Sequence, residues 1–195
     1  MPGSYKTYQI TEIHVDENYD CKMVTCPCGD LTDEQKSMFS DKAVKLAELL
    51  ELRGIMDVEG IMHGDVMKIL EIDARFPSQT PAAVMGSTGV NLLAELYSLF
   101  CGGWEHKSGT SANELHTVLE HVEVRGAVIK ERGESLMAQC TPLKLYQNFF
   151  GSDEIITDYN VGDSMMRATI INSAQTITQL QKKRMLTREN LVSQK

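Results

Sequence analysis

Four carboxylates are the residues of this 195-residue chain best placed to do chemistry: Asp57, Glu59, Glu71 and Asp73. They fall in two segments, Ile55–Met62 and Val66–Ala74, whose apolar and β-branched content reads as two strands. His63-Gly64-Asp65 is the tight turn expected between them. Side chains in a strand alternate faces, so Asp57 shares a face with Glu59, and Glu71 with Asp73. If the turn centres on Gly64, Asp57 lies opposite Glu71, Glu59 opposite Ile69, and Ile55 opposite Asp73. All four acids then project from one face of one hairpin. Like charges so opposed are destabilising and raise one another's pKa, so a cation belongs among them. Hard oxygen donors suit Mg²⁺, shared with substrate phosphates, and paired metal ions of phosphoryl-transfer sites use such bridging carboxylates. The competing reading is a solvated outer face, which alternation alone also produces, and a one-residue register slip would move one pair of acids to the other face. Two features beside the acids weigh toward a ligand. Arg75 follows directly and can grip an anionic oxygen with its planar fork. Ser78, Gln79 and Thr80 then offer hydrogen bonds on a backbone stiffened by Pro77 and Pro81.

The elements needed to position this hairpin are visible around it. Tyr5–Val15 and Asp20–Thr25 read as strands. A helix starts at Thr32, with Asp33 and Glu34 suiting its positive end, and stops by Gly54. Ser87–Phe100 reads as one helix with Val90, Leu93, Leu96, Tyr97 and Phe100 on one side. Leu115–Val124, Ala127–Lys130 and Met165–Ile171 read as strands, Leu143–Phe150 as a short helix, and Ala174–Leu191 as a polar helix. Adjacent strands joined by a hairpin and mixed with helices give an α+β class. No repeat or low-complexity segment is present.

Composition narrows the function. A 42% apolar, 24% charged chain is an ordinary globular one. The net charge of -8 argues against nucleic acid and anionic membrane as partners. No apolar run approaches the ~20 residues that cross a bilayer, and no signal peptide opens the chain, so the expected location is cytoplasmic. Five cysteines, an odd number at irregular spacing, argue against a disulfide framework, and Cys26-Pro27-Cys28 is one residue short of a zinc-type pair. They are expected to be small buried hydrophobes. The five histidines are scattered, and His14, His63, His106 and His116 are expected in turns or on the surface, with His121 set apart by the resemblance given below. The methionines of the hairpin, Met56, Met62 and Met67, are expected in the core. Lys182, Lys183 and Arg184 are expected on a solvated helix face. No GxSxG elbow supports a serine nucleophile.

Leu70-Glu71-Ile72-Asp73-Ala74-Arg75-Phe76-Pro77 resembles the last metal-binding strand of ATP-grasp enzymes, commonly Glu, one residue, then Asn, with Arg two residues on; Asp73 stands where Asn is usual. The similarity is closer to one branch, the pyrrolysine-biosynthesis ligases that join 3-methylornithine to lysine. It is carried by Tyr19 to Thr25, Gly54 to Glu59, the run Glu71 to Pro81, and Ser87 to Leu92, with Glu120-His121 matching a later Glu-His pair. The resemblance is strong over residues 8–102. It implies the C-terminal part of an ATP-grasp fold, an antiparallel sheet with a carboxylate-bearing hairpin flanked by helices. Residues 1–103 would complete the catalytic domain and residues 104–195 would form a C-terminal lobe, with the N-terminal nucleotide lobe and ATP lid lying outside the chain. Asp57, Glu71 and Asp73 would hold Mg²⁺, two ions in all, at the ATP phosphates. Glu59 would face the amino-acid substrate. Asp73, Ala74, Arg75, Phe76, Pro77 and Ser78 would line the 3-methylornithine and acyl-phosphate site, with Arg75 catalytic and Glu120 a further substrate contact. The implied reaction consumes ATP, 3-methylornithine and L-lysine and releases ADP, phosphate and an amide. A missing N-terminal half is an implied partner, and activity of this chain alone is expected to be small. Two alternatives stay open: another ATP-grasp amino-acid ligase, or a non-catalytic half that binds a cation or partner chain.

Overall fold

The computed structural model of the chain describes residues 5–102 and 114–193. The expected boundary between residues 103 and 104 lies outside these, as does His106. Strands β1 (Glu12–Val15) and β2 (Cys21–Cys26) are followed by helix α1 (Asp33–Leu49), the hairpin β3 (Asp57–His63) and β4 (Val66–Asp73), and helices α2 (Thr80–Thr88) and α3 (Leu92–Cys101). Then come β5 (His116–Arg125), β6 (Val128–Glu131), a 3₁₀ turn at Glu134–Gln139, β7 (Lys144–Gln147), β8 (Glu154–Thr157), β9 (Met165–Ala174) and α4 (Ile177–Ser193). The expected α+β class is borne out.

A seven-stranded antiparallel sheet runs in the order β1-β2-β5-β9-β8-β7, with β6 pairing to β5. Met23 pairs with Glu120, so β2 reaches across the whole intervening chain to join it. Strands β5 and β9 form the spine, ten residues each and paired from His116–Ala174 to Arg125–Met165. Alternation splits their side chains between two cores. Leu119 and Ile171 pack with Val24, Ala83 and Val84 under α2. Val122, Val124, Ala168 and Ile170 pack with Ile155 and Leu191 under α4. The centre of the sheet is thus covered on both faces, which is why β5 is buried along most of its length. Strands β3 and β4 stand apart as a two-stranded sheet against α1. At Gly60 a Cβ would lie 2.9 Å from Met67 Sδ and 3.1 Å from the Phe39 ring, so α1 and the hairpin meet at a point with no room for a side chain.

Helix α1 begins as expected. Thr32 accepts from the Gln35 amide and the Gln35 side chain accepts from the Thr32 amide, a complete capping box. The single helix expected over Ser87–Phe100 is two. Pro81 sits in the first turn of α2, where its missing N–H costs nothing. Gly89, at φ 75°, ends that helix by donating to the Met85 carbonyl. Asn91 then starts α3 by accepting from the Leu93 and Ala94 amides. The helix expected at Leu143–Phe150 is strand β7 instead. Positive φ at Asn148, Phe150 and Gly151 turns the chain back there, and β8 pairs with it antiparallel.

Cys26, Cys28 and Cys140 are buried as small hydrophobes, whereas Cys101 is exposed. Met67 is buried in the hairpin core. Among the described residues no helix is long and apolar enough to cross a membrane.

Candidate functional site

The hairpin presents its acids by a route that simple pairing misses. His63 pairs with Val66, around a two-residue Gly64-Asp65 turn with Gly64 at φ 60°. Continued without interruption, that register would set Asp57 against Ile72 and turn Glu71 and Asp73 to the far face. A bulge at Leu70, between Glu59 and Gly60 on the partner strand, adds the one residue that restores the phase. The result is Asp57 opposite Asp73 and Glu59 opposite Glu71. These partners differ from the expected ones, because the turn is one residue tighter and the bulge was not foreseen. The expected outcome, four carboxylates on one face, is met.

Each acid has a distinct setting. Asp57 is half-buried, accepts from Thr80 Oγ1 at 3.1 Å and takes its neighbour Val58's amide at 3.0 Å. Burial pushes its pKa up, Asp73 adds to the rise, and the two hydrogen bonds oppose it. Glu59 is also raised, first by burial and then by Asp57, Glu71 and Asp73. Asp73, half-buried, pairs with Arg75 at 2.7 Å, and the Arg75 side chain is largely in solvent. Glu71 is exposed. Helix α2 fixes the site through Thr80, its first residue, while its buried Ala83 and Val84 tie it to the sheet.

A fifth carboxylate enters from the other end of the sequence. Glu134, opening the 3₁₀ turn, accepts from Ser78 Oγ at 3.2 Å and from Gln79 Nε2. It thereby ties the Arg75–Pro81 loop to the main sheet. Cys21 reports the same gathering: burial lifts its thiol to about 12, with Glu134, Asp20 and Glu59 adding negative potential. Sequence reasoning missed Glu134 and Asp20. Glu134 lies in no periodic or motif-like stretch, and Asp20, though inside the Tyr19–Thr25 run that carries the resemblance, was given no role there; the pairing of β2 with β5 brings both beside the hairpin.

Glu120 is not brought to this site. Parity on β5 points Leu119 to the α2 side and Glu120 to the α4 side. There it is fully buried, with Arg184 gripping both its oxygens at 2.9 and 2.8 Å and Arg188 adding a third contact. Glu131 joins the same two arginines at 3.1 and 2.7 Å. Lys183 pairs with Asp153. Two of the three basic residues expected on a solvated helix face therefore clamp α4 to the sheet. His121, one position on and the histidine set apart from the others, is also buried. Its Nδ1 meets Thr169 Oγ1 at 2.9 Å, and burial pushes its pKa down to about 4.

Among the described residues no three His, Cys, Asp or Glu side chains are gathered into a ready metal cage. The donor set nonetheless fits Mg²⁺, which keeps several waters and binds through one or two carboxylates plus phosphate oxygens. Two opposed acid pairs with one exposed guanidinium beside them leave an excess of negative charge that such an ion would offset.

No family model matches the chain. Three curated relatives do, all 3-methyl-D-ornithine–L-lysine ligases. That of Methanosarcina acetivorans is 43% identical over 121 residues, covering 61% of this chain and 31% of the relative. That of Methanosarcina mazei is 40% identical over 137 residues, covering 70% and 35%. That of Methanosarcina barkeri is 42% identical over 113 residues, covering 57% and 29%. The chain thus spans about a third of the length of these relatives. Among solved structures, phosphoribosylglycinamide synthetase from Anaerococcus prevotii superposes with a TM-score of 0.60 at 15% identity, over 92% of this chain and 46% of that one. N5-carboxyaminoimidazole ribonucleotide synthetase from Thermus thermophilus gives 0.56 at 13% identity, over 95% and 46%. A single-chain, multi-domain long-chain acyl-CoA carboxylase gives 0.61 at 15%, over 89% and 19%.

Proposed function

We propose, from the premise that this chain has the fold of the ATP-grasp enzymes and is similar over most of its length to 3-methyl-D-ornithine–L-lysine ligases, that it is the metal- and phosphate-binding part of an ATP-dependent carboxylate–amine ligase. The substrates in this reading are 3-methylornithine and L-lysine. ATP phosphorylates the carboxylate of the first. The side-chain amine of the second attacks the acyl phosphate, and an amide, ADP and phosphate leave. Positioning and charge neutralisation supply the rate, without a covalent enzyme intermediate.

One observation carries the reading: two opposed carboxylate pairs on the face of β3–β4, followed at once by Arg75 and a hydrogen-bonding loop. Asp57, Glu71 and Asp73 would hold Mg²⁺, which when bound offsets phosphate charge. Arg75 would swing from Asp73 to an acyl-phosphate oxygen, a movement its largely exposed side chain allows. Glu59, within the potential of the other acids, suits a substrate ammonium group. The backbone from Asp73 to Ser78 would line the amino-acid pocket, with Glu134 holding Ser78 and Gln79 in place. Glu120 has no part in this, because its oxygens are taken by Arg184 and Arg188.

The test is thermal stability with Mg·ADP. Wild type should be stabilised only when both are present, by about 2.7 kcal/mol at a hundred times Kd. Glu71→Gln should lose the response. No response in wild type would point instead to a chain that binds no nucleotide. Steady ADP release requiring both amino acids, from this chain alone, would show that no other part is needed.

A further inference from the structure

The loop between β1 and β2 does more than reverse the chain. Asp16 opens it as an Asx turn, accepting from the Asn18 amide at 2.8 Å and the Asp20 amide at 3.1 Å. Tyr19, inside the turn, is held at φ 62°, a conformation that L-residues seldom adopt, although its side chain lies almost wholly in solvent. The bend delivers the next residue to a distant segment. Asp20 Oδ2 accepts from the Ser135 amide at 3.1 Å, 115 positions along the chain. That amide belongs to the first turn of the 3₁₀ segment Glu134–Gln139, where a capping side chain would normally take it. Gly133, the residue before the segment, has no side chain with which to do so. Its backbone, at φ -67° and ψ 163°, suits any residue, so space is what requires glycine. A Cβ there would lie 2.0 Å from Asp20 Oδ2 and 2.4 Å from Asp20 Cβ. Asp16 reaches the same stretch: the Asn18 amide first, then those of Asp20 and Gly133, hold its carboxyl below the usual carboxylate range.

What the 3₁₀ turn carries gives this contact its consequence. Glu134, its first residue, accepts from Ser78 Oγ at 3.2 Å and from Gln79 Nε2. Gln79 stands at the N-cap of α2 and makes no capping bond there, so its side chain is committed to Glu134. The next residue, Thr80, donates to Asp57 Oδ2 at 3.1 Å. Four segments far apart in sequence thus meet in one line, through Asp20, Glu134, Gln79 and Asp57. We infer that Asp20 is a positioning residue of the ligase site: by capping the 3₁₀ turn it fixes Glu134, and through Glu134 the Ser78–Gln79 backbone that lines the amino-acid pocket. The pocket rests on the functional reading above; the contacts do not. The role requires a hydrogen-bond acceptor at this place and no negative charge, which separates it from that of a carboxylate binding ligand.

The experiment follows amide exchange over residues 75–81 in the 195-residue chain and, by calorimetry, its binding of 3-methylornithine in the presence of Mg·ADP. Asp20→Ala should free the loop as Glu134→Ala does, with β5 and β9 still protected, and should weaken binding by about tenfold, the worth of one hydrogen bond to a charged group. Asp20→Asn keeps an acceptor and should hold both readouts near wild type. A second rescue moves the cap into the turn itself. Gly133→Asp in an Asp20→Gly background removes the clash and should restore what Asp20→Gly alone loses. Asp20→Ala added to Glu134→Ala should loosen the loop no further, since both lie on one path. The inference falls if Asp20→Ala leaves the loop protected, if Asp20→Asn loses as much as Asp20→Ala, if the relocated cap restores nothing, or if the losses at Asp20 and Glu134 add. Wild type that shows the expected exchange pattern yet binds no 3-methylornithine removes the ligase reading and leaves the positioning of the loop standing.

Discussion

Asp57 and Glu59 hold their charge against their surroundings, and that strain is measurable. Both have pKa values above those of the unfolded chain, so the native state retains protons that the unfolded state gives up. The penalty is absent below the unfolded pKa, grows as pH rises toward the native value, and is complete above it. Glu59→Gln should therefore raise Tm at pH 7, and the gain should vanish near pH 4. Opposed like charges on paired strands cost about 0.2–1 kcal/mol, equivalent to roughly 1–4 °C in a chain of this size. Adding Mg²⁺ should narrow the gap by stabilising wild type more than the variant. Glu134 calls for a different expectation. Its replacement by Ala removes the acceptor for Ser78 and Gln79, so the 75–81 loop should lose amide-exchange protection while β5 and β9 keep theirs. The hairpin acids were legible from spacing alone, because their alternation is local. Glu134 was not, because it lies far along the chain and arrives by sheet pairing.

At the scale of elements, the bulge at Leu70 decides which way two of the acids point. Deleting Leu70 leaves a regular ladder in which Asp57 still faces Asp73 and Glu59 still faces Glu71, so Mg·ADP stabilisation should survive. Deleting Ile72 puts Glu71 and Asp73 on opposite faces, and the response should disappear. Alternation shows which residues share a face within one strand but carries no phase between strands; the extra residue in a ladder leaves no mark in composition. The joint between α4 and the sheet gives a second test. Glu120→Ala would leave Arg184 and Arg188 with Glu131 as their shared acidic partner and an empty space at the sheet, which should destabilise by less than the ~3–5 kcal/mol of a fully unpaired buried charge, read as a lower urea midpoint with no change in ligand response. Sequence periodicity identified α4 as polar and stopped there. A basic run looks the same whether it faces water or a buried glutamate, and the partner stands more than sixty positions earlier. The split between α2 and α3 was written in Gly89 and Asn91, a stop signal and a start signal two residues apart, but the apolar spacing runs through both and masks them.

For the whole molecule, the main sheet is covered and the region around α1, α3 and the hairpin is not. Chemical denaturation should accordingly be resolved into two transitions, with β3–β4 amides exchanging well before those of β5 and β9. A single cooperative loss of all protected amides would contradict this. The pairing of Met23 with Glu120 adds a consequence for biogenesis. During synthesis β2 leaves the ribosome long before its neighbour exists, and the segment between them, rich in bare leucine and aromatic side chains, emerges first. Its loop cannot close until β5 is translated, and long-range pairing of this kind is slow. For that interval the nascent chain offers a strand edge and an apolar helix together, the combination that chaperones bind and that aggregates when they are scarce.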